Sequence, residues 1–254
     1  MLNIVVPMAG RGSRFADAGY VMPKPLIEVH GVPMIRLVIA NLTPSVPHRF
    51  HFLIQRAHDA DYGLGARLAG WAPGATVTPI DGITEGAACT VLLARGLIDS
   101  DDPLMIANCD QYIDADIDAY LAAQGDADGL IMTMWADDPK WSFVRRDAAG
   151  RVVQVVEKEV VSNEATVGIY NFRRGRDFVR AAEAMIAADQ RVNGEFYVAP
   201  VYDRLIAEGA RIECFGIGGI GTGMHGLGVP ADLDAFLGTE VSRRAVAALG
   251  GVSA

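Results

Sequence analysis

Short apolar, β-branched runs alternate with amphipathic segments through the first half of the chain. No other feature restricts its architecture as much. Runs near 2–7, 50–55, 76–80, 104–108 and 128–135 have strand character, whereas 33–43, 58–69, 86–97 and 114–123 carry helical periodicity. Such alternation predicts an α/β fold, a mainly parallel sheet flanked by helices on both faces. Ligands of such sheets bind beyond the carboxyl ends of the strands. At 254 residues and 51% hydrophobic content, the chain suits one sizeable domain with a large core.

The pattern changes near residue 141. Trp141–Arg146, the turn Asp147-Ala148-Ala149-Gly150 and Arg151–Glu157 read as a β-hairpin. A strand is expected over Thr166–Phe172, helices over Asp177–Ala188 and Val198–Glu208, and a strand over Arg211–Ile217. The glycine-rich stretch Gly216–Gly228 reads as loop, and Pro230 opens a helix that runs to Leu237.

The first strand, Ile4–Val6, empties into Pro7-Met8-Ala9-Gly10-Arg11-Gly12-Ser13-Arg14-Phe15, followed by Pro23-Lys24-Pro25-Leu26. Glycines let backbone N–H groups approach phosphate oxygens, and successive amides form an anion-binding concavity. Arg14 offers a planar fork and Lys24 a compact point charge for a triphosphate. Pro23 and Pro25 stiffen the backbone around that lysine. Solvated surface charge is the alternative for Arg11, Arg14 and Lys24, but their place directly after a buried strand favours phosphate. The loop matches neither the Walker pattern nor the dinucleotide fingerprint.

Asp110 follows the fourth strand in Ile106-Ala107-Asn108-Cys109-Asp110. A carboxylate there caps the next helix or, opposite a triphosphate, holds Mg²⁺. Thr84, Glu85, Gly86 and Ala87 open a helix with small residues that admit a planar base, or form an ordinary turn. Gln55 ends the second strand, either facing a base edge or lying on the surface. Glu157 and Lys158 end the hairpin, as alternating charges of a strand end or as a hold on an acceptor phosphate. Asn193-Gly194-Glu195-Phe196-Tyr197 is a turn or a source of acceptor contacts. Trp141, Ser142 and Tyr197 shape an acceptor pocket or pack in the core.

The net charge of −9 argues against nucleic-acid binding and against anionic membranes. Met1-Leu2-Asn3 lacks the basic start of a signal peptide, and the apolar runs are short. Cys89, Cys109 and Cys214 have no metal-ligand spacing and suit reduced thiols, hence a cytoplasmic protein. The histidines show no metal spacing either, and no Ser-His-Asp arrangement has local support.

The motif residues resemble those of the nucleoside-triphosphate transferases that join an NTP to sugar 1-phosphates or related phosphorylated acceptors. Pro7–Phe15 with Pro23–Leu26 is similar to that superfamily's signature loop. Asn108-Cys109-Asp110 is similar to its metal-binding aspartate segment, and Glu157-Lys158 to its acceptor-phosphate segment. Thr84–Thr90, Pro139–Ser142, Ala165–Tyr170 and Asn193–Tyr197 resemble a capsule-associated branch that includes CTP:phosphoglutamine cytidylyltransferase.

The resemblance implies a Rossmann-like mixed, mainly parallel sheet, Mg²⁺ dependence, pyrophosphate release and a single nucleotidyltransferase domain. Residues 1–140 would bind the NTP, 141–238 the acceptor, and 239–254 would form a C-terminal helix. Arg14, Lys24, Asp110 and Lys158 would be catalytic, with Asp110 on the metal. Met8, Ala9, Gly10, Arg11, Gly12, Ser13, Gln55, Thr84, Glu85, Gly86 and Ala87 would line the nucleotide. Trp141, Ser142, Glu157, Lys158, Glu195 and Tyr197 would contact the acceptor.

The expected partners are CTP or UTP and a small phosphorylated acceptor, for capsule or surface polysaccharide precursors, and the apolar composition leaves room for a homodimer. A cytidylyltransferase acting on phosphoglutamine or phosphocholine is the first alternative. Many sugar-nucleotide members carry a second aspartate where this chain has Gly226. A glycosyltransferase using Asp114-x-Asp116-x-Asp118, or a nucleotide-binding module without catalysis, are the others.

Overall fold

A computed structural model describes residues 1–10 and 12–250. The chain begins with β1 (Leu2–Met8), a short helix α1 (Ser13–Asp17) and a 3₁₀ turn at Lys24–Leu26. A small ribbon of β2 (Glu28–Val29) and β3 (Val32–Pro33) leads into α2 (Met34–Leu42). Then come β4 (His48–Gln55), α3 (Arg56–Tyr62), α4 (Leu64–Trp71), β5 (Thr76–Ile80), α5 (Ala87–Leu92) and α6 (Arg95–Ile98). The middle holds β6 (Leu104–Ala107), β7 (Gln111–Ile113), α7 (Ile117–Ala123), β8 (Gly129–Trp135), β9 (Ser142–Arg146), β10 (Val152–Glu157) and β11 (Glu164–Phe172). The chain closes with α8 (Gly175–Ala187), α9 (Val201–Ala207), β12 (Ile212–Gly219), β13 (Met224–Gly226), α10 (Pro230–Leu237) and α11 (Glu240–Ala247).

Nine strands share one mixed sheet, in the order β10-β9-β11-β6-β1-β4-β5, with β8 on β11 and β12 on β8. β1 lies parallel between β4 and β6, and β4 is parallel to β5. β11 reverses direction beside β6 and β8. Strand alternation distributes the core across both faces. Ile4, Val6 and Met8 pack with Ile35, Val38 and Leu64, whereas Val5 packs with Val91, Phe178 and Tyr202. A smaller cluster joins Phe15 to Val29, Leu233, Phe236 and Val246, and ties the C-terminal helices to the first loop.

Several boundaries differ from the sequence expectation. The helix expected over 58–69 is two helices, because Gly63 takes φ 61° and caps α3. The helix expected over 86–97 likewise breaks into α5 and α6. α7 begins at Ile117, where the Asp116 side chain accepts from the N–H groups of Asp118 and Ala119. Residues ahead of it form β7, which pairs with β13. The stretch 216–228 is therefore not all loop: β12 continues to Gly219 and β13 crosses to Gln111–Ile113. The C-terminal helix ends at Ala247, and residues 251–254 of the expected span lie outside the described residues.

Candidate active site

Register collects the motifs at one edge. Met8 pairs with Ile54 and Val5 with Ile106, so Ala9, Gln55 and Asn108 leave the sheet side by side. β11 enters antiparallel with Ile169 beside Ala107, which brings the 166–168 segment to the same edge. Three adjoining cavities result. One of about 460 Å³ opens over the glycine loop and is lined by Ala9, Gly10, Gly12, Ser13, Arg14 and Lys24, with Thr84, Gly86, Ala87, Asp110 and Glu195. A second, about 270 Å³, lies beneath the hairpin and is lined by Trp141, Ser142, Glu157 and Tyr197, with Thr166, Gly168 and Tyr170. The third, about 550 Å³, lies behind the loop against Met8, Tyr20, His58 and Tyr62.

The loop is held by its own chemistry. Phe15 is buried and meets Tyr20 edge-on at 5.1 Å, which anchors α1 and leaves the neighbouring Arg14 exposed in the cavity mouth. Gly12 takes φ 61° before the helix. Gln55 donates to the carbonyls of Ala9 at 3.0 Å and Gly10 at 2.8 Å. Its amide nitrogen is thus committed to shaping the loop rather than left free for a base edge. Arg11 lies outside the described residues.

Lys24 Nζ and Asp110 Oδ2 form an ion pair at 2.8 Å, with the side chains 21% and 26% exposed. Burial by itself would lower the lysine's pKa. The Asp110 carboxylate outweighs it and holds the ammonium well above its ordinary value. Burial pushes the adjacent Cys109 thiol up to about 11, so Cys109 is no thiolate nucleophile or ready metal ligand.

Glycines open the space around Asp110. A Cβ on Gly228 would stand 2.8 Å from Asp110 Oδ2. Gly226 pairs with Gln111, and a Cβ there would meet Asp232 Oδ2 at 2.9 Å. The Asp232 carboxylate of α10 therefore fills the room beside Gly226. Among the described residues no cluster of three or more His, Cys, Asp or Glu could hold a metal. Asp110 stands as a single carboxylate with clear space beside it. That donor set suits Mg²⁺, which takes one or two carboxylates and completes its shell with phosphate oxygens and water.

On the acceptor side, burial pushes the Glu157 carboxyl up, opposed by a hydrogen bond from the Ser142 hydroxyl and by the Lys158 charge. Lys158 takes φ 57°, and its ammonium contacts the Tyr197 hydroxyl and lies 4.6 Å from that ring's centroid. Trp141 Nε1 is buried without a hydrogen-bond partner among the described residues. Glu195 lines the loop cavity rather than the hairpin-side one, and Glu85 turns outward to an ion pair with Arg191. The two sides are joined by main chain: Phe196 N–H donates to Glu85 O at 2.8 Å, and Ala88 N–H to Phe196 O at 3.0 Å.

Sequence reasoning left Asn108, Thr166 and Tyr170 out of the site. Thr166 and Tyr170, four residues apart and so on one face of β11, both line the hairpin-side cavity, with a register irregularity between them around Gly168 at φ 77°. Strand periodicity alone does not say which face opens on a cavity. Asn108 sat within a recognised motif, which was the available signal. The Asp114-x-Asp116-x-Asp118 spacing has other uses: Asp114 pairs with Arg244, Asp116 caps α7 and Asp118 accepts from Ser45 N–H.

The chain is similar in sequence and fold to known proteins. The bifunctional protein GlmU of Ralstonia pickettii is 25% identical over 218 residues, covering 83% of this chain and 46% of that protein. The mannose-1-phosphate guanyltransferase of Schizosaccharomyces pombe is 26% identical over 188 residues, covering 66% of this chain and 49% of that protein. The chain spans about half the length of the curated relatives it matches. A nucleoside-diphosphate-sugar pyrophosphorylase from Vibrio cholerae superposes with a TM-score of 0.80 at 26% identity, covering 93% of this chain and 100% of that one. The inositol-1-phosphate CTP transferase of T. maritima, at 15% identity and a TM-score of 0.72, shares the fold over 99% of this chain and 98% of its own. Residues 4–184 match the MobA-like NTP transferase domain, and the chain belongs to that family.

Proposed function

We propose that the protein is a Mg²⁺-dependent nucleotidyltransferase that couples an NTP to a small phosphorylated acceptor and releases pyrophosphate. The observation that carries this reading is the Lys24–Asp110 pair at the floor of the loop cavity, beside the hairpin-side cavity with its half-buried Glu157. An acceptor phosphate oxygen attacks the α-phosphorus in line. The new O–P bond forms as the bond to the β-phosphate breaks, and the electron pair leaves with pyrophosphate. Two anions must meet, so the chain's task is positioning and charge neutralisation.

Arg14 binds the departing phosphates from the cavity mouth. Lys24 binds near the α-phosphate once substrates separate it from Asp110. Lys158 holds the acceptor phosphate, and Trp141, Ser142, Glu157 and Tyr197 hold its body. Asp110 would hold Mg²⁺ together with nucleotide oxygens, and the bound ion supplies charge neutralisation at the α-phosphate.

Capsule or surface polysaccharide precursors, made in the cytoplasm from CTP or UTP, are the setting we infer. Gly226 supports a second version with a non-sugar acceptor such as phosphoglutamine or phosphocholine, because the usual second carboxylate is missing. A matrix of the common NTPs against sugar 1-phosphates, phosphocholine and phosphorylated amino acids, with Mg²⁺ and a pyrophosphate readout, tests both. One pair should turn over well above the rest. NTP binding with no pyrophosphate release across the panel would sink the enzymatic reading in favour of a binding module.

A further inference from the structure

The loop cavity and the hairpin-side cavity share a wall, and one polar side chain stands in it. Pro7, Ala87 and Asn108 line both cavities. Proline and alanine side chains carry no hydrogen-bonding atom, so among the described residues Asn108 alone presents a polar side chain to both sides.

Its base is stiff. Asn108 directly follows β6, and its N–H donates to Gly168 O at 3.1 Å. Ala107 and Cys109 on either side are buried, while Asn108 is exposed in the cleft. The facing residue clears room for the amide: a Cβ on Gly168 would lie 2.0 Å from Asn108 Nδ2. Among the described residues, the side-chain partner of that nitrogen is Gln111 Oε1 at 3.5 Å, at the outer limit of a hydrogen bond. A primary amide donates twice. Most of this donor capacity is unspent, at the boundary between the two chambers.

We propose that Asn108 is a catalytic residue: its Nδ2–H groups donate to the oxygens of the α-phosphate and the acceptor phosphate as these groups meet. The inference rests on the nucleotidyltransferase reading and adds a role to it. A neutral donor at this point stabilises charge on both reacting groups without attracting one substrate at the expense of the other. No proton leaves the amide, since the nucleophile arrives already anionic.

The experiment uses the NTP–acceptor pair that the wild type turns over fastest, with Asn108→Ala and the near-isosteric Asn108→Asp. Asn108→Ala should lower kcat by about 10²–10³-fold, the usual effect of losing one preorganised donor. Asn108→Asp replaces the donor with an anion and should fall further, with a raised KM for the acceptor. Calorimetry with an α,β-methylene NTP should find nucleotide affinity retained in Asn108→Ala, and melting temperatures should match the wild type.

Near-normal kcat in Asn108→Ala overturns the proposal. So does an activity loss that tracks a fall in melting temperature, which would make Asn108 a structural prop of the β6–β11 corner. The wild-type control separates the two failures: with no pyrophosphate from any pair, the parent reading falls and this one falls with it.

Discussion

Lys24 and Asp110, 86 residues apart in sequence, neutralise each other across the floor of the cleft at 2.8 Å. Each is the other's counter-ion, and both face the cavity where triphosphate is proposed to lie. Lys24→Ala and Asp110→Ala should each lower pyrophosphate release by about 10²–10³-fold, and Arg14→Ala by a similar factor. With the side chains 21% and 26% exposed, removing one partner also leaves the other charge partly desolvated, so some loss of stability accompanies the kinetic one. Steady-state kinetics beside thermal melts would check this, and large melting shifts with normal turnover would assign the pair to folding.

Gly86 is fixed by its surroundings rather than by a turn. It takes φ 132°, and a Cβ there would stand 2.4 Å from Phe196 O, a backbone atom that cannot swing aside. Gly86→Ala should therefore destabilise the protein by about 2–5 kcal/mol, from dihedral strain plus overpacking. Urea denaturation should show a lower midpoint with an unchanged slope.

Asp203 gives a pH dependence separate from catalysis. On α9, it accepts from Val155 N–H of β10 at 2.7 Å. Burial pushes its carboxyl up to about 6, against that hydrogen bond and the Arg145 charge. Because the native state binds this proton more tightly than the unfolded chain, stability falls as pH rises from about 4 to 6. Asp203→Asn keeps an acceptor for Val155 and never ionises. It should equal the wild type below about pH 4 and exceed it above pH 6 by ~1–2 kcal/mol, after allowance for screening. Burial also lowers the His51 pKa to about 4, which gives a slope of opposite sign. Both proteins carry His51, so the difference between their denaturation curves isolates Asp203.

The alternation of runs was enough to read the parallel half of the sheet, because β1, β4 and β6 are buried by helices whose own periodicity is plain, with the half-buried β5 at their edge. It was not enough for β7 and β13. These are three-residue strands whose pairing depends on a contact between Gln111–Ile113 and Met224–Gly226. No local pattern encodes such a contact. Split helices escaped for a related reason: Gly63 costs little in a periodic pattern, yet its positive φ ends α3. In the site, glycines and charges next to strand ends pointed to the loop and to Asp110. Asn108 was passed over because an exposed amide carries no compositional signal, and the bonds from Gln55 Nε2 to the carbonyls of Ala9 and Gly10 were not legible because those partners lie on a distant loop.

The stitching of Glu85 and Ala88 to Phe196 has one more consequence. Peptide geometry, which side-chain replacement leaves alone, ties the helix start beside the loop cavity to the segment beside the hairpin-side cavity. On the proposed function, Trp141, Ser142 or Tyr197 could be exchanged to suit a differently shaped metabolite while the reach of the new bond stays constant, and selectivity would be free to drift without retuning the chemistry.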